Sequence, residues 1–193
     1  MRSERRMARL EYVLRHRQPD LTVVIENVHD PHNVSAILRS CDAAGVMEVQ
    51  LVYTIEGFPK IGKKSSASAG KWVDRREYGS IQECYSALRK RGFRIYATRL
   101  TEDAKSLYDV DLTKKVAIVV GNEHRGVSSE AAAEADGTIQ IPMFGMIQSL
   151  NVSVASAIML YEAVRQRLKK GHYRKSKFSK KKLEELMEEW MRR

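Results

Sequence analysis

An α/β fold built on a mostly parallel sheet, with helices on both faces, is what the sequence predicts. Two observations carry that expectation. Apolar, β-branched runs recur along the chain, at 21–28, 46–53, 93–100, 115–122 and 137–143, and several are continuous rather than alternating, as strands buried on both faces require. Stretches of helical period lie between them, at 33–45, 80–92, 128–136 and 150–170, and such alternation calls for crossover helices on a parallel sheet.

The first element, ERRMARLEYVLRHR, places Met7, Leu10 and Leu14 on one face of a helix and its arginines on the others. The strand LTVVIENV follows, and Asp30-Pro31 then breaks the chain. Asn33 is a candidate cap for the next helix, in which Val34, Ile37 and Leu38 face the sheet. The helices at 33–45 and 80–92 close on Gly45 and Gly92, as helix C-termini prefer. WVDRREY (72–78) is a further candidate strand. EGFPKIGKKSSASAGK (56–71) is too long for a simple turn and is expected to be a functional or mobile loop. At the far end Leu183, Leu186, Met187, Trp190 and Met191 recur at helical spacing, a face that must pack on the body or on a partner subunit. With 193 residues, the chain suits one domain with extensions: a basic helix at 1–18, a body at 19–168 and a basic, amphipathic extension at 169–193.

Charge divides the chain the same way. The net charge is +10, but residues 1–17 carry six Lys/Arg against two Glu, and residues 165–193 carry twelve against four. The stretch between them has sixteen Lys/Arg against eighteen Asp/Glu. A near-neutral body with basic ends suits a polyanion, and nucleic acid above a membrane surface, because the ends carry few exposed aromatics. RLKKGHYRKSKFSKKK interleaves His172, Tyr173 and Phe178 with cations, a mix that tracks phosphates and stacks bases; a soluble linker reads the same way. High charge and only four Asn and six Gln fit a heat-adapted source.

Several chemistries are excluded. No apolar run reaches the roughly 18 residues of a membrane span. The charged start lacks a signal-peptide core, and Cys41 and Cys84 lie far apart with no CxxC, as reduced thiols of a cytoplasmic protein would. No dinucleotide or P-loop glycine pattern is present. His29 and His32 form an HxxH without a third ligand, so no metal is expected. No GxSxG supports acyl-enzyme chemistry.

Three stretches remain. ENVHDPHNVSAILRSCDAAG carries Asn33 and, six residues on, Arg39. IVVGNEHRGVS crowds Asn122, Glu123, His124 and Arg125 at a strand end, where open α/β sheets place ligands. IPMFGMIQSLNVSVASAI runs from a strand through a Pro/Gly/Met loop into a helix, with Ser149 as its candidate cap and Asn151 presenting an amide in the first turn. Each alone also reads as an ordinary helix start or polar turn.

Together they resemble the three motifs of the SpoU/TrmH branch of the SPOUT methyltransferases, and the resemblance extends over nearly the whole chain. It implies an α/β domain whose C-terminal part is threaded as a deep trefoil knot, an exception to un-knotted topology. It implies a homodimer that binds S-adenosylmethionine in a bent shape and methylates a ribose 2'-hydroxyl of tRNA, at guanosine 18 of the D-loop. Alternatives are another tRNA or rRNA nucleotide, a non-catalytic RNA-binding module of the same fold, or an α/β enzyme using another nucleotide. By position, Thr98, Ile141 and Leu150 would contact the donor, with backbone from Gly121, Asn122 and Glu123 and around Met146. Arg39 would be the catalytic arginine, and Asn33, Glu123, Ser149 and Asn151 occupy the other functional positions. Arg39 would act either as a base or as a phosphate clamp.

Overall fold

The computed structural model describes residues 4–55, 57–59 and 69–193. Seven strands of the described residues form one sheet: β1 (Leu21–Glu26), β2 (Glu48–Val52), β3 (Asp74–Tyr78), β4 (Arg94–Thr98), β5 (Lys105–Ser106), β6 (Val116–Val120) and β7 (Gly137–Gln140). Among the described residues six α-helices accompany them: α1 (Glu4–His16), α2 (Pro31–Ala44), α3 (Ile81–Lys90), α4 (Ser129–Glu134), α5 (Val152–Lys169) and α6 (Lys180–Arg192). The strand order is β3-β2-β1-β6-β4-β7-β5, and every neighbouring pair is parallel. The expected α/β class and parallel sheet are therefore observed.

The continuous apolar runs lie at the centre of the sheet. β1 and β6 pair from Leu21–Val116 to Ile25–Val120, and every residue of both strands is buried. Their alternate side chains feed two cores, as a two-sided strand must. Val23, Ile25 and Ile118 meet Ile37 and Leu38 of α2 and Met159 and Leu160 of α5. Val24, Ala117 and Val119 meet Cys84, Tyr85 and Leu88 of α3 and Ala131 of α4. Among the described residues no helix is long and apolar enough to cross a membrane.

Each expected strand ends earlier than its apolar run. β1 stops at Glu26 rather than Val28, because Asn27 takes a left-handed φ of 49°. The ends of β4, β6 and β7 likewise give way to loops that gather on one side of the sheet. The candidate strand at 72–78 is β3. β5, only two residues long, carries no pattern that its sequence could show. Of the loop expected at 56–71, residues 56 and 60–68 lie outside the described residues, and Ala69–Lys71 forms a single 3₁₀ turn.

Two expected helix caps are corrected. α2 is capped by Asp30, whose carboxylate accepts from the His32 N–H at 2.8 Å, with Pro31 as the first helical residue. A proline there has no N–H to leave unsatisfied. Asn33 is therefore inside the first turn and is not the cap. α5 is capped by Asn151, which accepts from the Ser153 and Val154 N–H groups, while Ser149 stands two residues outside the helix. At the other end of α2, Gly45 has φ 82°, and a Cβ there would come within 2.8 Å of the His16 carbonyl oxygen. Only glycine fits where α1 leads into the body so closely.

The two ends of the chain pack on each other. Leu10 and Leu14 of α1 meet Leu186 and Trp190 of α6, with Trp72 alongside. Trp190 is wholly buried and lies 5.1 Å from the Trp72 ring. Two arginines from the basic ends, Arg17 and Arg167, are also wholly buried. Arg17 reaches Asp42 at 2.5 Å and the carbonyls of Val46 and Trp72. Arg167 reaches Asp20 at 2.5 Å and the carbonyls of Leu112 and Lys114. Part of the terminal charge is thus structural rather than presented to solvent.

Candidate active site

A cavity of about 760 Å³ opens at the carboxyl ends of β4, β6 and β7 and is walled by the start of α5. That volume suits a nucleoside-sized ligand, and the position is where open parallel sheets hold ligands. Thr98 and Ile141 line it, with the 121–129 loop on one side and Ser149 to Val152 on the other.

The 121–127 loop folds back on itself. A Cβ on Gly121 would lie 2.2 Å from the Gly126 carbonyl oxygen and 2.3 Å from the Val127 nitrogen, so only hydrogen fits. The Gly126 N–H donates to the Asn122 carbonyl at 2.8 Å. The Asn122 side-chain oxygen accepts from the N–H groups of His124 at 3.0 Å and Arg125 at 3.2 Å. Its NH₂ donates to the Asn27 carbonyl at 2.9 Å. The backbone at 121–123 is therefore presented to the cavity in one fixed shape.

Glu123 joins this loop to the start of α2. Its carboxylate accepts from the N–H groups of His29 and Asp30, both at 3.0 Å, and from the Asn33 NH₂ at 2.9 Å. Partial burial alone would raise its pKa, but the bonds from Asn33, His29 and the neighbouring backbone outweigh it and hold the carboxyl below its ordinary value. Glu123 is an anion at neutral pH, with both oxygens engaged, and is poorly placed to take a proton. Asn33 in turn accepts from the Asn151 NH₂ at 3.0 Å. A polar chain, Glu123–Asn33–Asn151, thus links all three sequence stretches. Each carboxamide NH₂ carries two hydrogens, and this chain uses one on each.

Of the residues singled out from sequence, Thr98, Gly121, Asn122, Glu123, Ile141, Ser149, Leu150 and Asn151 line the cavity. Asn33 adjoins it through Glu123 and Asn151. Two stand apart in the single chain. Met146 is 100% exposed, at the tip of a loop beside Phe144 at 98%, and does not line the cavity; Met143 does. Arg39 is exposed on α2, about 9 Å along the helix axis from Asn33, and pairs with no acid among the described residues. The residue missed was Asn27. Its signal was weak: a single asparagine at the end of a strand, where turns also favour it.

Residues 20–161 match the model of the SpoU rRNA methylase family. The chain is 50% identical over 192 residues to a tRNA (guanosine(18)-2'-O)-methyltransferase of Thermus thermophilus, covering 100% of this chain and 98% of that one. A solved A. aeolicus TrmH/SpoU tRNA modifying enzyme superposes with a TM-score of 0.91 at 42% identity, covering 97% of this chain and 95% of that one. AviRb of Streptomyces viridochromogenes, a SpoU methyltransferase solved with the cofactor AdoMet, superposes with a TM-score of 0.69 at 26% identity, covering 80% and 62%.

Proposed function

The chain belongs to the SpoU rRNA methylase family, and from that membership we propose that it methylates the ribose 2'-hydroxyl of guanosine 18 in tRNA, with S-adenosylmethionine as donor. The observation that carries the reading is the Glu123–Asn33–Asn151 chain, which brings three separate stretches to the wall of one cavity. The cavity fits the donor. Gly121 lets the 121–127 loop fold back tightly enough to line the cavity, and Ile141, Leu150 and Met143 supply an apolar wall.

When bound, S-adenosylmethionine supplies an electrophilic methyl group. The residues of the chain have three tasks around it. Backbone at Gly121 to Glu123 and around Leu150 holds the donor, with Thr98 and Ile141 at its edges. Asn33 and Asn151, kept in one orientation by Glu123, direct their remaining N–H groups to the sugar and fix its hydroxyl in near-attack geometry. Ser149 stands at the mouth of the same wall as a further hydroxyl contact. Arg39 grips an RNA phosphate, orients the hydroxyl and offsets the negative charge that develops on its oxygen. That role suits a guanidinium better than a base does, because its pKa exceeds roughly 12.

Arg39 and Met146 lie outside the cavity of a single chain, which supports a site shared between two subunits. Phe144, Met146 and Ile147 in the loop are exposed, as are Val154, Tyr161 and Leu168 at seven-residue spacing on α5, apolar surface of the kind a homodimer covers. The body at 19–168 carries the reaction, and the two extensions hold tRNA. Arg5, Arg6 and Arg9 on α1 and Lys175, Lys180 and Lys181 near α6 all face solvent. In this reading the chain is threaded as a trefoil knot. β6 lies between β1 and β4, and α5 returns onto α2 and β6, an arrangement consistent with that threading.

Mapping 2'-O-methylation on tRNA after reaction with the purified protein tests the function. Methyl at guanosine 18 is expected, and unmodified RNA overturns the reading. Arg39→Ala is expected to lower turnover by about 10²-fold or more, with S-adenosylhomocysteine affinity kept within about twofold. Near-normal turnover of that variant removes Arg39 from the mechanism.

A further inference from the structure

The sequence has four asparagines, Asn27, Asn33, Asn122 and Asn151, and all four meet at this site. Asn27 lines no part of the cavity, yet it is the most constrained of the four. It is 5% exposed, and among the described residues it is the one non-glycine with positive φ.

Every polar group of Asn27 is engaged. Its N–H donates to the Val52 carbonyl at 3.0 Å. Its side-chain oxygen accepts from the N–H groups of Thr54 at 3.0 Å and Ile55 at 3.2 Å, and its NH₂ reaches the Thr54 hydroxyl at 3.3 Å. These bonds fasten the end of β1 to the end of β2. They also hold the left-handed backbone, which asparagine tolerates better than most residues. The consequence is a turned carbonyl, which accepts from the Asn122 NH₂ at 2.9 Å. Asn122 in turn holds the His124 and Arg125 N–H groups and so sets the loop that faces the cavity.

We propose that Asn27 is a positioning residue for donor binding, acting through its carbonyl on Asn122 and thereby on the 121–125 backbone. This rests on the reading of the cavity as the donor site. Asn27 does not touch the reacting atoms, so its loss alters how firmly donor is held and leaves the chemical step intact.

The test is a double-mutant cycle read by calorimetric titration of S-adenosylhomocysteine into folded protein. Asn27→Ala puts an ordinary side chain at positive φ and removes the anchor to Thr54 and Ile55. Asn122→Asp keeps the oxygen that faces His124 and Arg125 but loses the NH₂ that meets Asn27. Each is expected to raise Kd about tenfold, and the pair by about twentyfold rather than the roughly hundredfold of independent sites. At saturating donor, Asn27→Ala keeps kcat within about twofold while KM for the donor rises. If Asn27→Ala does not fold, Asn27→Gly replaces it, since glycine adopts the same backbone without strain. A folded Asn27 variant with unchanged Kd and only a lower unfolding midpoint makes Asn27 mere scaffold and overturns the proposal. Independent, multiplying effects remove the route through Asn122 and also overturn it. Wild-type protein that binds no S-adenosylhomocysteine overturns the donor-site reading and this inference with it; binding by wild type with no change in the variants overturns this inference alone.

Discussion

The seam beside the cavity and the joint that ties the chain ends to the body both rest on buried or half-buried charge, but they use it differently. At the joint, Arg167 makes five bonds with its five N–H groups, to Asp20, Gln18 and the carbonyls of Asp20, Leu112 and Lys114. Arg17 places its two terminal nitrogens on Asp42, Val46 and Trp72, with its guanidinium 5.1 Å from the Trp190 ring. Neither is exposed; Arg167 has every N–H engaged, while the buried Arg17 Nε–H has no partner. At the seam, Glu123 is satisfied from one side by backbone N–H groups and Asn33, while Asn33 and Asn151 keep hydrogens to offer. The difference teaches how to separate scaffold cations from ligand-facing polar groups. Complete burial marks the first, and in the function proposed above spare N–H groups beside the cavity mark the second.

The hardest test of that distinction is Arg167→Met. It leaves one Asp20 oxygen and several carbonyls without their arginine in a buried place, with Lys177 still on the other oxygen, and a loss of about 3 kcal/mol is expected, read as a lower urea midpoint. Under conditions where the variant is folded, its S-adenosylhomocysteine affinity should match wild type within about twofold. A parallel loss of affinity would show that joint and seam are one cooperative unit.

Asn151→Asp makes a smaller change and should act in the opposite sense. The cap oxygen that serves Ser153 and Val154 remains, but the NH₂ that meets Asn33 is gone. Turnover should fall about tenfold, the equivalent of one hydrogen bond of about 1–1.5 kcal/mol, with the urea midpoint nearly unchanged. Asn151→Ala loses the cap as well and should cost about 1 kcal/mol of stability besides. Equal stability losses in the two variants would mean that Asn151 serves the helix alone.

The smallest effect concerns acid. The Glu123 carboxyl is held below its ordinary value in the folded protein, so it contributes stability that is fully present above the unfolded carboxylate value of about 4.3. That contribution fades as pH falls through the lower, folded value. Unfolding midpoints measured from pH 6 to 3 should therefore drop less steeply for Glu123→Gln than for wild type. Identical slopes would mean that the seam does not depend on the charge of Glu123.

Local chemistry made much of this legible from residues alone. Continuous apolar runs such as Val116–Val120 can only be satisfied on both faces, and they form the sheet centre. Gly45 takes the left-handed turn that its place after a helix suggests. The three stretches that carry the site were visible because each packs polar residues against an apolar run. The caps were not so legible. Asp30 and Asn33, or Ser149 and Asn151, are equally good capping residues by type. What decides is how each side chain's polar atoms are shared out: Asp30 accepts from the His32 N–H with Pro31 in the first helical position and the Asn33 amide goes to Glu123, while Asn151 reaches Asn33 with its NH₂ and keeps its oxygen for the helix. Arg17 and Arg167 look like any other basic residue of the chain ends, and only their surroundings bury them.

The sequence by itself determined the six longer strands, the helices, the glycine turns and the residue types available at each strand end, because those depend on side-chain period and backbone sterics within a few residues. Tertiary structure alone decided that four asparagines spread from 27 to 151 would meet, that a carboxylate 90 positions from Asn33 would hold it, and that two cations would face inward. A hydrogen bond of 3 Å is blind to separation along the chain, whereas the local preferences of a residue extend no farther than its own turn.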